Sequence, residues 1–288
     1  MLLGRLGLDK ARIPYTDRHG LLWLDRGRLE VEDGCLRFIT AGGTLAAGDY
    51  QIPHQSVSVI LLGPGSSITH DALRLLANHG TALAAVGDDG VRIYTAPPLM
   101  PDTSTLARHQ MMKWAKPQSR MAVARRMYAI RLGEVLPSQN IEVLRGIEGA
   151  RVKEMYRLMA ERHGIEWKGR RYDRANPDAG DLPNQALNHA ATAVRSAAVI
   201  AVTATATIPQ LGFIHEDSGQ AFALDIADLF RDDLTLTIAF GAAKEASEGL
   251  ETVDKIVRRR ASRQFAEKKV IPGMIDRIKQ VLDAENES

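Results

Sequence analysis

The hydrophobic period of this chain changes once, from about 2 to about 3.6 residues. The change falls on a proline-rich stretch, Ala96-Pro97-Pro98-Leu99-Met100-Pro101. A strand sends alternate side chains to opposite faces, whereas a helix returns to one face every three or four residues. A run of strands followed by a run of helices specifies an α+β chain with two parts. The expectation is an N-terminal β-rich domain over residues 1–96, a linker at 97–102, and an all-helical catalytic domain over residues 103–288.

Within the first part, Leu29-Glu30-Val31 and Leu36-Arg37-Phe38 alternate around Asp33-Gly34, the dipeptide of a tight hairpin turn. Ser56 to Leu62 is a further strand, ended by Gly63-Pro64-Gly65. That punctuation is no dinucleotide fingerprint, because the third glycine is missing. Asp71 to His79 has helical spacing with Gly80 as its stop, and 82–86 with 91–94 reads as a last hairpin. Beyond the linker, Ser104 to Leu132, Ser138 to Arg162, Pro183 to Ala206, Gly219 to Phe230 and Thr252 to Ala284 read as helices or helix pairs. The apolar stretch from Ser196 to Ile208 is too short to span a bilayer and reads as a buried helix, so no membrane role is expected.

Composition narrows the class further. With 45% apolar and 25% charged residues, the chain is neither disordered nor collagen-like. One cysteine, Cys35, excludes an internal disulfide and a cysteine metal cluster, and a reducing cytoplasm is the expected compartment. The formal net charge is only +2, yet residues 108–174 hold 16 Lys and Arg against 7 Asp and Glu. Lys255 to Lys269 adds seven basic residues against Glu267 alone. Such segments are either solvated helix faces or a surface that meets a polyanion.

Three places hold chemistry-bearing side chains where apolar spacing would not put them. Glu148 lies between Gly146 and Gly149, and glycines let a backbone or a ligand come close. His215 opens a turn after the apolar run 209–213. Asp225 and Asp228, three residues apart, fall about 60° from each other on one helical flank. Two such carboxylates repel unless a cation sits nearby. Each feature alone has a bland reading as a helix surface or a structural histidine. Together, Glu, His and Asp make an oxygen-plus-imidazole donor set of the kind Mg²⁺ or Mn²⁺ accepts, and beside a basic surface it suits phosphodiester chemistry.

Five runs in order, LRGIEGAR at 144–151, WKGRRYD at 167–173, NQALN at 184–188, GFIH at 212–215 and DIAD at 225–228, resemble the CRISPR-associated integrase of spacer acquisition, Cas-one (Cas1). GPGSSITH at 63–70 and VGDDGVRIY at 86–94 extend the likeness, which is greatest to subtype I-E. The resemblance implies a homodimer, two copies of which flank a dimer of the small partner Cas-two (Cas2). It implies a metal-dependent endonuclease and integrase that joins the 3′-hydroxyls of captured double-stranded DNA with single-stranded ends to CRISPR repeat DNA. The family's metal ligands fall on Glu148, His215 and Asp228, and its second aspartate, also needed for activity, on Asp225. Its motif-reading tyrosine falls on Tyr172, expected to stack on a base, and an arginine of the N-terminal domain on Arg92. Arg170, Arg171, Arg258, Arg259 and Arg263 are the expected phosphate contacts. Where relatives place a tyrosine wedge this chain has Leu24-Asp25-Arg26-Gly27, Arg195 replaces an aromatic residue, and the residues up to Ser288 include no proline-rich tail. Two other functions use the same features: a metal nuclease of DNA repair, and a DNA-binding scaffold without catalysis.

Overall fold

The structure, a computed structural model, describes residues 20–95, 104–136, 140–171, 180–249 and 251–282. A strand-rich region precedes a helical one, as the change of period predicts. The chain divides into two compact units. One runs through Val86 and takes in Tyr94–Ser104; the other comprises Gly87–Ile93 and the residues from Thr105 onward.

The strands are β1 (Gly20–Leu24), β2 (Gly27–Glu32), β3 (Cys35–Thr40), β4 (Gly48–Gln51), β5 (Val57–Leu62), β6 (Ser67–Ile68), β7 (Ala82–Val86) and β8 (Ile93–Thr95), with α1 (His70–His79) between β6 and β7. They form two four-stranded sheets, β1-β5-β7-β8 and β4-β3-β2-β6. The β2–β3 hairpin turns at Asp33 and Gly34, whose φ values of 50° and 75° are those of the expected tight turn. The Thr69 side chain caps α1 at Ala72 N, and Gly80 ends it in the left-handed conformation. Leu24, Leu29, Leu36, Phe38 and Ile60 fill this unit's core. The first sheet is mostly not built from hairpins; only β7 and β8 are neighbours in both sequence and sheet. β1, β5 and β7 pair in parallel, and β5 is buried at Val57 through Leu61. Both faces of such a strand are covered, so its sequence reads as a continuous apolar run.

The helical unit contains α2 (Thr105–Ala115), α3 (Pro117–Leu132), α4 (Ile141–His163), α5 (Leu182–Ala204), α6 (Ala221–Asp228), a π-helical turn (Arg231–Thr235), α7 (Leu236–Glu248), α8 (Val253–Glu267) and α9 (Val270–Leu282). α5 is its axis. Asp181 caps its first turn, Pro183 suits that turn's free N–H positions, and alanines along its length let α6, α7, α8 and α9 pack closely around it. Pro117 separates α2 from α3, and Lys269, at φ 50°, separates α8 from α9. α7 has no counterpart in the sequence reading; its Gly241 lies where a Cβ would meet the Arg260 guanidinium, so a helix-weakening residue marks close packing. Among the described residues, no helix is long and apolar enough to cross a membrane.

The tip of the 82–94 hairpin belongs with the helices. Gly87 N donates to Arg92 O at 2.8 Å and closes the loop, Asp89 accepts from Ser262 Oγ, and Arg92 Nη2 lies 3.0 Å from Asp254 Oδ1. Arg92, which the resemblance puts in the N-terminal domain, is thus held by the helical unit.

Candidate active site

α6 carries two aspartates with different environments. Asp225 is fully buried. Its Oδ2 accepts from Phe213 N at 2.5 Å and Ile214 N at 3.1 Å, and its Oδ1 accepts from His215 N at 3.0 Å. A buried carboxylate holding three successive N–H groups fixes that loop as an anion nest would fix an anion. The same Oδ1 lies 2.7 Å from His215 Nδ1, so the ring donates from Nδ1 and turns Nε2 outward. This hydrogen bond is the main reason the imidazole holds a proton above its ordinary range, partly opposed by burial. Asp225 acts through His215; it is a positioning residue.

Asp228, one turn later, meets the other side of the same imidazole and is partly exposed. Its Oδ1 accepts from Arg231 Nη2 at 2.5 Å, and its Oδ2 lies 4.0 Å from His215 Nε2. Glu148 enters from α4 and is bound by Arg131 of α3, whose side chain is buried. Asp232, in the π-helical turn, lies 3.7 Å from Arg131 Nε, and burial raises its pKa despite that neighbour. A π-helical turn is a frequent mark of a functional site. Next to Glu148, the space beside Gly146 and Gly149 is open, as their presence predicts.

The three residues fit a divalent cation by donor type. Asp225 locks the histidine tautomer that leaves the Nε2 lone pair free, the usual second partner of a ligating imidazole. Glu148 and Asp228 contribute hard oxygens. They do not yet close around one point: among the described residues no three His, Cys, Asp or Glu side chains form a ready metal group. Arg131 holds Glu148 and lies 4.0 Å from Asp228 Oδ2.

A pocket of about 370 Å³ opens beside Asp228, lined by Arg170, Asn188, Arg195 and Arg231. Arg170 is braced by Asn184 Oδ1 at 3.0 Å and Asn188 Oδ1 at 2.7 Å, and Arg171 N donates to Asn184 Oδ1 at 2.8 Å. This accounts for the NQALN run: its asparagines hold the preceding basic loop. Arg258 and Arg259 are exposed but paired, Arg258 with Asp254 at 2.8 Å and Arg259 with Glu251 at 2.5 Å, whereas Arg263 is simply exposed. Tyr172 lies outside the described residues.

Sequence reasoning missed Arg131, Arg231 and Asp232. Arg231 was findable, because i and i+3 share a helical face and Asp228 needs a counter-charge. Arg131 was not, since one buried arginine in a basic segment looks like its solvated neighbours. Gly212 explains the GFIH run in another way. A Cβ there would strike the His215 carbonyl oxygen and come within 2.8 Å of Ala221 Cβ. Gly212→Ala is expected to lower stability by about 2 kcal/mol through overpacking and to slow DNA cleavage by displacing His215. Paired thermal melts and cleavage rates check this, and equal values for both proteins would contradict it.

Residues 128–248 match the family model "CRISPR associated protein Cas1". The chain is 34% identical over 273 residues to the CRISPR-associated endonuclease Cas1 of Geobacter sulfurreducens, covering 94% of this chain and 87% of that one. It is equally similar, over the same length and coverage, to the CRISPR-associated endonuclease Cas1 of Escherichia coli K12. The crystal structure of a TtCas1–DNA complex superposes with a TM-score of 0.83 at 31% identity, covering 94% of this chain and all of the other. With the histidine–carboxylate site and the two-part fold in place, identity of this extent and coverage settles the family: the chain belongs to the CRISPR-associated endonuclease Cas1 family.

Proposed function

We propose that this protein is the metal-dependent integrase of a CRISPR adaptation system, most like those of subtype I-E. It joins the 3′-hydroxyls of captured double-stranded DNA with single-stranded ends to CRISPR repeat DNA. It acts as a homodimer, two of which are bridged by a Cas2 dimer. The observation that carries this reading is the Asp225–His215–Asp228 arrangement, which aims Nε2 at a carboxylate across 4.0 Å.

Each side chain has a derivable task. Asp225 keeps His215 Nδ1 protonated and Nε2 available. Arg231 holds one oxygen of Asp228, which leaves the other toward the histidine. Glu148, His215 and Asp228 would hold Mg²⁺ or Mn²⁺, which when bound supplies Lewis acidity to a phosphate oxygen and makes an attacking hydroxyl more acidic. Arg170, Arg195 and Arg231 line the adjoining pocket and suit the charge of a phosphodiester strand. The TtCas1 structure contains DNA, which supports a DNA substrate here.

The test is incubation of the protein with Cas2, a frayed duplex and a supercoiled repeat plasmid in Mg²⁺ or Mn²⁺. Joined products are expected, and EDTA should abolish them. Cutting without joining would favour the repair nuclease, and binding without either would favour the scaffold.

DNA affinity should be strongly salt-dependent, because cations on the protein release counterions from phosphate. Arg258 and Arg259 must exchange Asp254, Glu245 and Glu251 for phosphate to take part. Replacing Arg258, Arg259 and Arg263 together by Gln is expected to weaken binding to every sequence and to lower the slope of log K against log salt by roughly 2 to 3. Fluorescence anisotropy across a salt series reads this, and an unchanged slope would place the three arginines away from DNA.

A further inference from the structure

The centre of the carboxylate cluster is occupied by a cation of the protein itself. Arg131 is the penultimate residue of α3, and its side chain is only 3% exposed. Its Nη1 donates to Glu148 Oε1 and lies 4.0 Å from Asp228 Oδ2, while Nε lies 3.7 Å from Asp232 Oδ2. Among the described residues, the buried Nε and Nη2 have no hydrogen-bond partner. One turn earlier on the same helix, the buried Tyr128 hydroxyl has none among those residues either.

A stably closed ion pair would use more of the guanidinium than this, because buried N–H groups without acceptors are costly. Charge gives the arrangement a purpose. Glu148, Asp228 and Asp232 bring three negative charges and Asp225, behind His215, a fourth, whereas Arg131 and Arg231 bring two positive ones. The carboxylates outnumber the arginines by two, so the cluster still attracts a divalent cation with Arg131 in place. Without Arg131 the cluster would be one charge more negative and attract the same cation more strongly.

We propose that Arg131 is a resident counter-ion that holds Glu148 away from the metal position and thereby sets a weak metal affinity until DNA arrives. This rests on the metal reading above. Arg131 is a positioning residue: it touches Glu148 and acts through it.

The experiment is titration of the full chain, without DNA, with Mn²⁺, reading free Mn²⁺ by electron paramagnetic resonance. Folded Arg131→Gln is expected to bind Mn²⁺ roughly ten-fold more tightly than wild type. Arg131→Lys, which keeps the charge, should stay within about threefold. A merely structural arginine predicts the opposite sign, because its loss would loosen the site. Unchanged or weaker binding by folded Arg131→Gln therefore overturns the proposal. Should that variant not fold, the wild type still decides the matter through ¹⁵N-arginine NMR. The Arg131 Nε signal, assigned by its loss in Arg131→Lys, must shift when saturating Mg²⁺ is added, and an unmoved signal overturns the proposal. Glu148→Ala separates the two readings. If wild type binds Mn²⁺ and Glu148→Ala binds it less well, the metal site stands whatever Arg131 does. No binding by wild type overturns the metal site itself, and Arg131's role with it.

Discussion

Alanine at Glu148, His215 or Asp228 is expected to slow metal-dependent cleavage and joining on the order of a thousand-fold, about 4 kcal/mol of transition-state stabilisation. The three side chains come from two helices and one loop, so none can stand in for another. DNA affinity should stay within about threefold, because phosphate contacts supply most of it and none of the three is a cation in the working state. The folded state should also persist. Glu148 and Asp228 are partly exposed carboxylates at 17% and 19%, and His215 is 38% exposed. Glu148→Ala does strand Arg131, so a melting curve belongs beside its rate measurement. Single-turnover cleavage of a branched duplex in Mn²⁺, with anisotropy on the same DNA, gives both quantities. Full activity in any one variant would remove that residue from the site.

Asp225→Ala should behave differently, losing stability and activity together. Its carboxylate accepts from three consecutive N–H groups, from Phe213 to His215, and from His215 Nδ1. Each N–H left without a partner costs about 1–3 kcal/mol when buried, so a loss of at least about 3 kcal/mol is expected. Activity should fall on the order of a hundred-fold as the ring loses its orientation, in keeping with the loss of a ligand's outer partner. Asp225→Asn keeps one acceptor oxygen and the shape of the side chain. It should recover part of the stability but little of the activity, because an amide NH₂ opposes the Nδ1–H donor. Denaturant melts with rates for wild type and both variants test this. A fully stable Asp225→Ala would mean that the loop is held by other contacts.

The contrast between Asp225 and Asp228 marks what the sequence can convey. Helical spacing puts the two on one flank, and the structure shares that flank unequally, one carboxylate folded under a loop and the other open to the site. Spacing carries no information about the backbone that meets a helix from elsewhere in the chain, here residues 213–215. The β2–β3 hairpin was legible for the complementary reason: its turn residues, register and alternation are all local. The parallel pairing of β5 with β1 and β7 was not, because its partners are far apart in sequence and their apolar runs do not specify a neighbour. α7 escaped notice because its apolar face surrounds a glycine whose reason is the side chain of Arg260 on α8.

Anomalous scattering from a crystal of the protein grown with Mn²⁺ tests the metal site most directly. The account predicts one strong peak within about 2.5 Å of His215 Nε2 and of carboxylate oxygens of Glu148 and Asp228, with Asp225 still on Nδ1. A peak elsewhere, or none at Mn²⁺ concentrations that support cleavage, would contradict it.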